Sequence, residues 1–329
     1  MPSQASTLLC IDVSYVLFYR YNALRRWYSH HHQEDIPEAY VRSDEFTTRF
    51  HKRLRDTLLA LVKAHAPTHV LMAYDGRANW RKQVAPTYKA TRDHAPLTLE
   101  VFRAGVAWCQ TSATAALTAD VQAWLAKPRR GKKAAAAAKG APTLTAVPHV
   151  VHLGHEALEA DDLVHLAVAQ HQTGGYASAT GGATQTTDAP PHSIVIANDH
   201  DYLPLLRFPH VTLVNLQGKP LALPEGVSAD RMLTYKALVG DKSDNLPPPI
   251  PRCGKKTAVK YVNDPAALEK ALTAHPEARA ALARNLQLMD NTRAPAELLH
   301  WATEQLAARL WVGEAATDET VGGGIGAVE

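Results

Sequence analysis

Short apolar runs alternate with longer amphipathic stretches along the first two thirds of the chain. Residues 7–11, 69–74, 149–153, 193–197 and 211–214 are continuous apolar or β-branched runs, and each reads as a short buried strand. Between them the apolar spacing is helical. In 14–27, Val16, Tyr19 and Ala23 share one face; in 44–65, Phe46, Phe50, Leu54, Leu58 and Leu61 do. Residues 97–125 and 159–170 are also helix-like, and from Ser228 onward the pattern is helical apart from the proline run at 247–249. Strands that alternate with helices predict an α/β fold, a parallel sheet covered on both faces.

The rest of the chain is polar. His30, His31 and His32 read as a solvated loop, since adjacent residues do not converge on one ion. Residues 78–92 are polar, basic and aromatic. Residues 127–140 are low-complexity and basic, either a loop or a helix that forms on an anionic partner. Residues 173–192 read as a disordered insertion and 321–326 as a flexible tail.

The chain has 329 residues, 46% hydrophobic and 20% charged, enough for a sizeable core and about two domains. The net charge of +3 does not by itself announce a nucleic-acid binder, but between Val121 and His155 there are six Lys or Arg and no acid. Cys10, Cys109 and Cys253 form no metal-ligand pair and suggest a reducing compartment. No signal peptide or membrane span is expected, so the protein reads as soluble and intracellular.

Nine acids change the picture. Asp12, Asp75, Glu159, Asp161, Asp162, Asp199, Asp201, Asp241 and Asp244 fall in five places. Asp12, Asp75 and Asp199 sit at or just past strand ends, where ligands of a parallel sheet bind. The plainer reading is that each acid caps a helix or a turn. It serves for any one of them and poorly for all together. Gathered carboxylates repel unless a cation sits among them, and oxygen donors suit Mg²⁺ or Mn²⁺. Two such ions about 4 Å apart are common machinery for cutting phosphodiesters.

Three segments carry a resemblance: Glu159-Ala160-Asp161-Asp162, Ala197-Asn198-Asp199-His200-Asp201, and Gly240-Asp241-Lys242-Ser243-Asp244-Asn245-Leu246-Pro247 followed by Gly254-Lys255-Lys256-Thr257-Ala258. The chain resembles the 5′-nuclease (flap endonuclease) family from about Leu8 to Val262, in its bacterial and phage branch. The resemblance implies a PIN-like α/β sheet flanked by helices, with a helical arch over about 92–148. It also implies a C-terminal helix–three-turn–helix over about 229–262 that holds duplex DNA. The catalytic domain would span 1–225 and the helical region 226–329.

Position by position, the resemblance assigns Asp12, Asp75, Glu159 and Asp161 to a first metal site and Asp162 to the bridge toward a second. Asp199, Asp201, Asp241 and Asp244 make that second site. Lys89 matches a lysine that neutralises the scissile phosphate, Arg81 and Arg92 match phosphate-contacting arginines, and Tyr88 matches an aromatic on which a terminal base stacks. Trp80 is a second candidate for stacking. Gly254, Lys255, Lys256 and Thr257 match the duplex-binding turn and helix start.

There are departures. Arg252 stands where the family usually has a glycine, with one extra residue before it. This puts in doubt the close approach to phosphate and a monovalent-cation (K⁺) site that the family implies. Pro204, His200 and Gln83 also replace usual residues, and none of these changes removes a metal ligand.

The expected function is a metal-dependent structure-specific 5′ nuclease, exonuclease or flap endonuclease, using two Mg²⁺ or Mn²⁺. The expected partner is DNA with 5′ single-stranded ends or flaps, with RNA–DNA hybrids as a further substrate and a monomer as the default state. The alternatives are a branched-DNA-binding protein without catalysis, a PIN-type ribonuclease and a two-metal hydrolase for small substrates. Intact acids and Lys89 argue against the first, residues 229–262 against the second, and the basic arch against the third.

Overall fold

The computed structural model describes residues 6–92, 96–127, 143–174 and 190–312. The five apolar runs form strands β1 (Thr7–Asp12), β2 (His69–Tyr74), β3 (His149–Gly154), β4 (His192–Ile196) and β5 (Val211–Val214). All pair in parallel, in the order β3-β2-β1-β4-β5. The chain builds outward from β1 to β3, then returns to lay β4 and β5 on the other side. Beyond the carboxyl ends of β1 and β4, where the order reverses, a parallel sheet opens a crevice.

The strand period of two divides the core. Leu9, Ile11, Val70, Met72, Ile194 and Ile196 face one apolar layer, and Leu8, Cys10, Leu71, Ala73, Val195 and Leu213 face the other. The first layer is closed by α1 (Val13–His32), the short α2 (Glu38–Val41), α3 (Asp44–His65), α5 (Pro96–Trp108) and α6 (Thr114–Leu125). Helix α4 (Arg81–Val84) is a single turn beside the crevice. Gly105 lets α5 close onto its neighbours, because a Cβ there would meet Leu17 Cδ2 at 2.6 Å and Phe50 Cε1 at 3.0 Å.

The second layer is closed by α7 (Ala160–Thr173), a 3₁₀ segment (His200–Arg207) and α8 (Ala229–Val239), α9 (Lys255–Asn263), α10 (Pro265–Ala274), α11 (Pro276–Met289) and α12 (Ala296–Gln305). One apolar cluster runs from the sheet through these helices, from Leu8 and Val195 to Met232, Leu238, Leu282 and Leu306. Among the described residues no helix is long and apolar enough to cross a membrane. The three cysteines are free and buried.

One expectation needs correction here. His30–His32 are the last turn of α1 and not a loop; the helix stops only at Gln33, at φ 56°. Side chains that can carry positive charge are tolerated at a helix carboxyl end. The helical stretch expected over 97–125 is observed from Pro96 to Leu125, with a π-bulge at Cys109–Ala113 whose Cys109 and Ala113 are buried in the core. Within the stretch 92–148, Val101, Cys109, Leu117 and Val121 are buried against the α1–α3 layer. Residues 128–142, most of 173–192 and the tail lie outside the described residues.

Candidate active site

Five local structures bring the acids to the carboxyl edge of the sheet. Asp12 ends β1 and caps α1, accepting from the Tyr15 amide at 3.0 Å. Asp75 follows β2; its Oδ1 accepts from the Ala160 amide at 2.9 Å and its Oδ2 from the Ser14 hydroxyl. Glu159 caps α7 in a reciprocal capping box with Asp162. Asp161 lies in the first turn of that helix. Asp199 follows β4 and caps the 3₁₀ segment, accepting from the Asp201 amide at 3.1 Å. The plainer reading as helix caps is therefore true locally for Asp12, Glu159 and Asp199, and it coexists with their convergence.

The last pair sits on a closed loop. Gly240 adopts φ 75°, and a Cβ there would meet Leu246 O at 2.4 Å, so only glycine lets the chain fold back. Asp241 and Leu246 then exchange two backbone hydrogen bonds of 2.7 and 2.8 Å. Asp241 accepts from the Ser243 amide and hydroxyl at 2.8 and 2.7 Å.

The segment 85–92 is zipped to this loop. The Lys89 amide donates to Asp244 O at 3.2 Å, Asn245 Nδ2 to Thr87 O at 2.9 Å, and Thr91 Oγ1 to Asn245 Oδ1 at 2.7 Å. Ala85, Tyr88, Leu246 and Leu288 form a small apolar cluster beneath.

Protein cations occupy the carboxylates. Arg81 reaches Asp162 through two bonds of 2.9 and 2.7 Å and Glu159 at 3.1 Å. The Lys89 ammonium pairs with Glu159. Arg92 pairs with Asp244 at 2.7 Å. Lys236, in the last turn of α8, pairs with Asp201 and lies 3.8 Å from Asp241.

The electrostatics follow from crowding. Burial, then the neighbouring Asp75, pushes Asp12 up to about 7. Burial and Glu159 likewise raise Asp75. Burial would also raise Asp161, but Arg81 and Lys89 outweigh it and hold its carboxyl below the usual range. For Lys89, burial works against the ammonium, yet Glu159, Asp244 and Asp161 prevail and raise its pKa. The unpaired end of the crevice, Asp12 with Asp75, is thus where negative charge is hardest to hold.

The donors fit a hard divalent cation in kind, because all nine are carboxylates with no thiol or imidazole among them. They do not form a closed shell as they stand. Among the described residues no three His, Cys, Asp or Glu donors converge on one point that could hold an ion. Arg81, Lys89, Arg92 and Lys236 instead take up oxygens of Glu159, Asp162, Asp201, Asp241 and Asp244.

The aromatic and arginine assignments change. Tyr88 is 3% exposed and gives its hydroxyl to Glu159 at 3.0 Å and Asp244 at 3.1 Å, so neither ring face is open to a base. Trp80 is 2% exposed and packs in the core. Arg81 is 1% exposed and is a structural counter-ion, out of reach of a phosphate. Burial is the common reason: the apolar neighbours that flank these residues pull them inward. Arg92, by contrast, keeps a partly exposed side chain.

Lys236, Tyr202 and Ser14 are missing from the sequence reading. Tyr202 donates its hydroxyl to Asp12 Oδ2 at 3.0 Å. The signal for Lys236 was a lone lysine inside the apolar run Met232–Val239, five residues before Asp241. At the other end of the loop, Arg252 has φ 60°, the left-handed conformation that favours glycine. Gly254 caps α9, whose first turn carries exposed Lys255 and Lys256, with Thr257 half-buried behind them.

No family model matches the chain. Flap endonuclease Xni of Shewanella pealeana is 23% identical over 221 residues, covering 65% of this chain and 66% of that protein. The match thus spans just under two thirds of that relative's length. The fold is similar to that of a mutant of the 5′-exonuclease of phage T5, with a TM-score of 0.53 at 14% identity, covering 92% of this chain and 98% of that one. It is also similar to the bacteriophage T5 D15 flap endonuclease in a pseudo-enzyme–product complex with DNA and metal ions, with a TM-score of 0.57 at 13% identity, covering 91% and 97%. The solved structures share the fold with this chain, and the Shewanella protein shares sequence with it over 221 residues.

Proposed function

We propose that this chain is a structure-specific 5′ nuclease that hydrolyses DNA phosphodiesters with divalent metal ions. The observation that carries the reading is the gathering of Asp12, Asp75, Glu159 and Asp161 at the carboxyl ends of β1 and β2, beside the half-buried ammonium of Lys89. The similarity to flap endonuclease Xni and to the T5 enzymes supports it.

Asp12, Asp75, Glu159 and Asp161 would hold one Mg²⁺ or Mn²⁺, with Asp162 behind them. Asp199, Asp201, Asp241 and Asp244 would hold a second. Such ions, when bound, lower the pKa of coordinated water and neutralise phosphate oxygens. The chain's own groups do the rest. Tyr202 and Ser14 orient the carboxyls of Asp12 and Asp75. Lys89, paired with Glu159 here, would bring positive charge to the scissile phosphate as charge builds there, and Glu159 would then be free to serve as a metal-holding carboxylate. Lys236 and Arg92 balance the second group of carboxylates until cations arrive.

Duplex DNA would lie against the element formed by α8, the loop 240–254 and α9, read as the family's helix–three-turn–helix. Gly254 has no side-chain cap to offer, and two lysines in the first turn of α9 oppose the helix dipole. Both features suit a phosphate at that helix start. The domain boundary near residue 225 and a K⁺ site at the helix–three-turn–helix, which the Arg252 side chain would disturb, belong to the same reading.

The test is cleavage of a 5′-labelled flap duplex with Mg²⁺ or EDTA, beside Asp161→Asn and Lys89→Ala. Metal-dependent cutting near the junction, lost in both variants, is expected. Tight flap binding without any cutting by the wild type would move the assignment to a branched-DNA-binding protein.

A further inference from the structure

Away from the acidic crevice, α1 and α3 enclose a groove of about 280 Å³ lined by Leu24, Trp27, Arg49, Lys52 and Arg53. Arg20 belongs to the same stripe of α1, one turn before Leu24 and two before Trp27. Helix α1 carries three arginines and no acid. Across the groove, Arg49 pairs with Glu45 at 2.9 Å and Lys52 with Asp56 at 2.7 Å, ordinary exposed pairs one helical turn apart.

Arg20 and Arg53 are different. Arg20 lies over the Tyr19 ring at 5.2 Å and feels the like charge of Arg53; among the described residues no ion pair holds either arginine, and the neighbouring Asp56 pairs with Lys52. The Nε–H of Arg20 is buried with no hydrogen-bond acceptor. A like-charged pair with a buried unsatisfied donor is costly unless an anion completes it. Trp27 stands in the wall with the Arg49 guanidinium 5.0 Å from its ring.

We propose that this groove binds a single-stranded segment of nucleic acid, with a phosphate between Arg20 and Arg53 and a base against Trp27. The proposal rests on the nuclease reading for its substrate but not for its test. Alternating guanidiniums and an indole over the apolar floor of Leu24 match a strand that alternates phosphates and bases. Helix α1 also starts at Asp12. At about 1.5 Å per residue, Arg20 lies about 12 Å and Trp27 about 22 Å along its axis. At about 3.4 Å per nucleotide the groove is reached about four to seven nucleotides from the scissile phosphate.

The experiment is fluorescence anisotropy of 5′-fluorescein oligothymidylates of increasing length, in EDTA, over a KCl series. It compares wild type, the double variant Arg20→Gln/Arg53→Gln and, as a control on α10, Lys270→Gln. Circular dichroism and melting check that each folds, and Arg53→Gln alone serves if the double variant does not. About tenfold weaker binding is expected for the double variant, with a salt slope lower by about 0.7 for the one phosphate no longer neutralised. Lys270→Gln should match wild type, and 5-iododeoxyuridine should crosslink to Trp27. Unchanged affinity and slope in the double variant would overturn the proposal. So would equal competition by heparin with no Trp27 crosslink, which would mean a general polyanion patch. Because EDTA abolishes cutting, a wild type that binds here but fails the flap assay sinks only the nuclease reading.

Discussion

Arg81 and Asp162 face each other through two parallel N–H···O bonds of 2.9 and 2.7 Å, with 1% and 0% of their surfaces exposed. The pair ties α4 to α7, and Arg81 Nε adds a bond to Leu288 O at 2.7 Å that fixes α11 to both. Even so, burial leaves the Asp162 carboxyl raised to about 6, so its charge is barely sustained. Removing Arg81 strands Asp162 and Glu159 without their counter-ion. Arg81→Ala is expected to lose about 3–5 kcal/mol of stability, the usual cost of breaking one side of a buried pair. Urea unfolding of the metal-free protein measures it. A loss below about 1 kcal/mol would mean that the guanidinium is not structural.

Tyr202 shares no bond with the expected substrate, yet it holds one oxygen of Asp12 at 3.0 Å. Groups that orient a metal-binding carboxylate typically matter about 10–100-fold in metal affinity. Tyr202→Phe should fold normally and need about tenfold more Mg²⁺ for half-maximal cleavage. An unchanged Mg²⁺ titration would detach Tyr202 from the metal reading.

The strands and the strand-end acids were legible because both depend on local pattern. An apolar run of five residues followed by Asp12 or by Asp75 leaves few alternatives in an α/β chain. What the pattern could not carry was the direction in which a mixed residue turns. Tyr88, Trp80 and Arg81 lie in a segment that reads as exposed and basic, but Leu246 and Leu288 come from 158 and more residues away to cover Tyr88. Lys236 was invisible for the same reason, since its partners Asp201 and Asp241 meet it only through the packing of α8 on the 3₁₀ segment. The π-turn at Cys109–Ala113 answers a fit between α5, α6 and α3 that no single window of sequence contains.

His171 sits at the opposite end of the sheet from the acids. Its ring is stacked 5.2 Å from Trp311 and bonded to Ser6 and Ser193 at 3.0 and 2.8 Å. Burial, with His69 and His192 nearby, lowers it to about 3. The folded state therefore refuses a proton that the unfolded chain takes up near its ordinary value of about 6.5. Its contribution is intact above pH 6.5 and is lost as pH falls from there toward 3, at up to about 1.4 kcal/mol per unit. Asp12 acts in the opposite sense, since its raised pKa lets the folded state take up a proton first. The net curve mixes both, so the prediction concerns a difference. His171→Gln should lose less stability than wild type between pH 6.5 and 4.5, as read from urea midpoints. Parallel curves would contradict the burial argument.

Arg252 gives the last expectation, because two of its properties pull in opposite directions. Its φ of 60° costs an L-residue roughly 1–2 kcal/mol that glycine avoids. On conformational grounds alone, Arg252→Gly should stabilise the loop by up to about 1 kcal/mol, visible as a raised melting temperature. Yet the side chain is exposed, three residues ahead of Lys255, the first of the exposed lysines that open α9. If duplex DNA lies there, removing the guanidinium costs one phosphate contact and lowers the salt slope for duplex binding by about 0.9. A variant that is more stable but binds duplex more weakly, with that smaller slope, is the expected result. A more stable variant with unchanged duplex affinity would show that Arg252 only strains the turn, and would place the duplex elsewhere on α9.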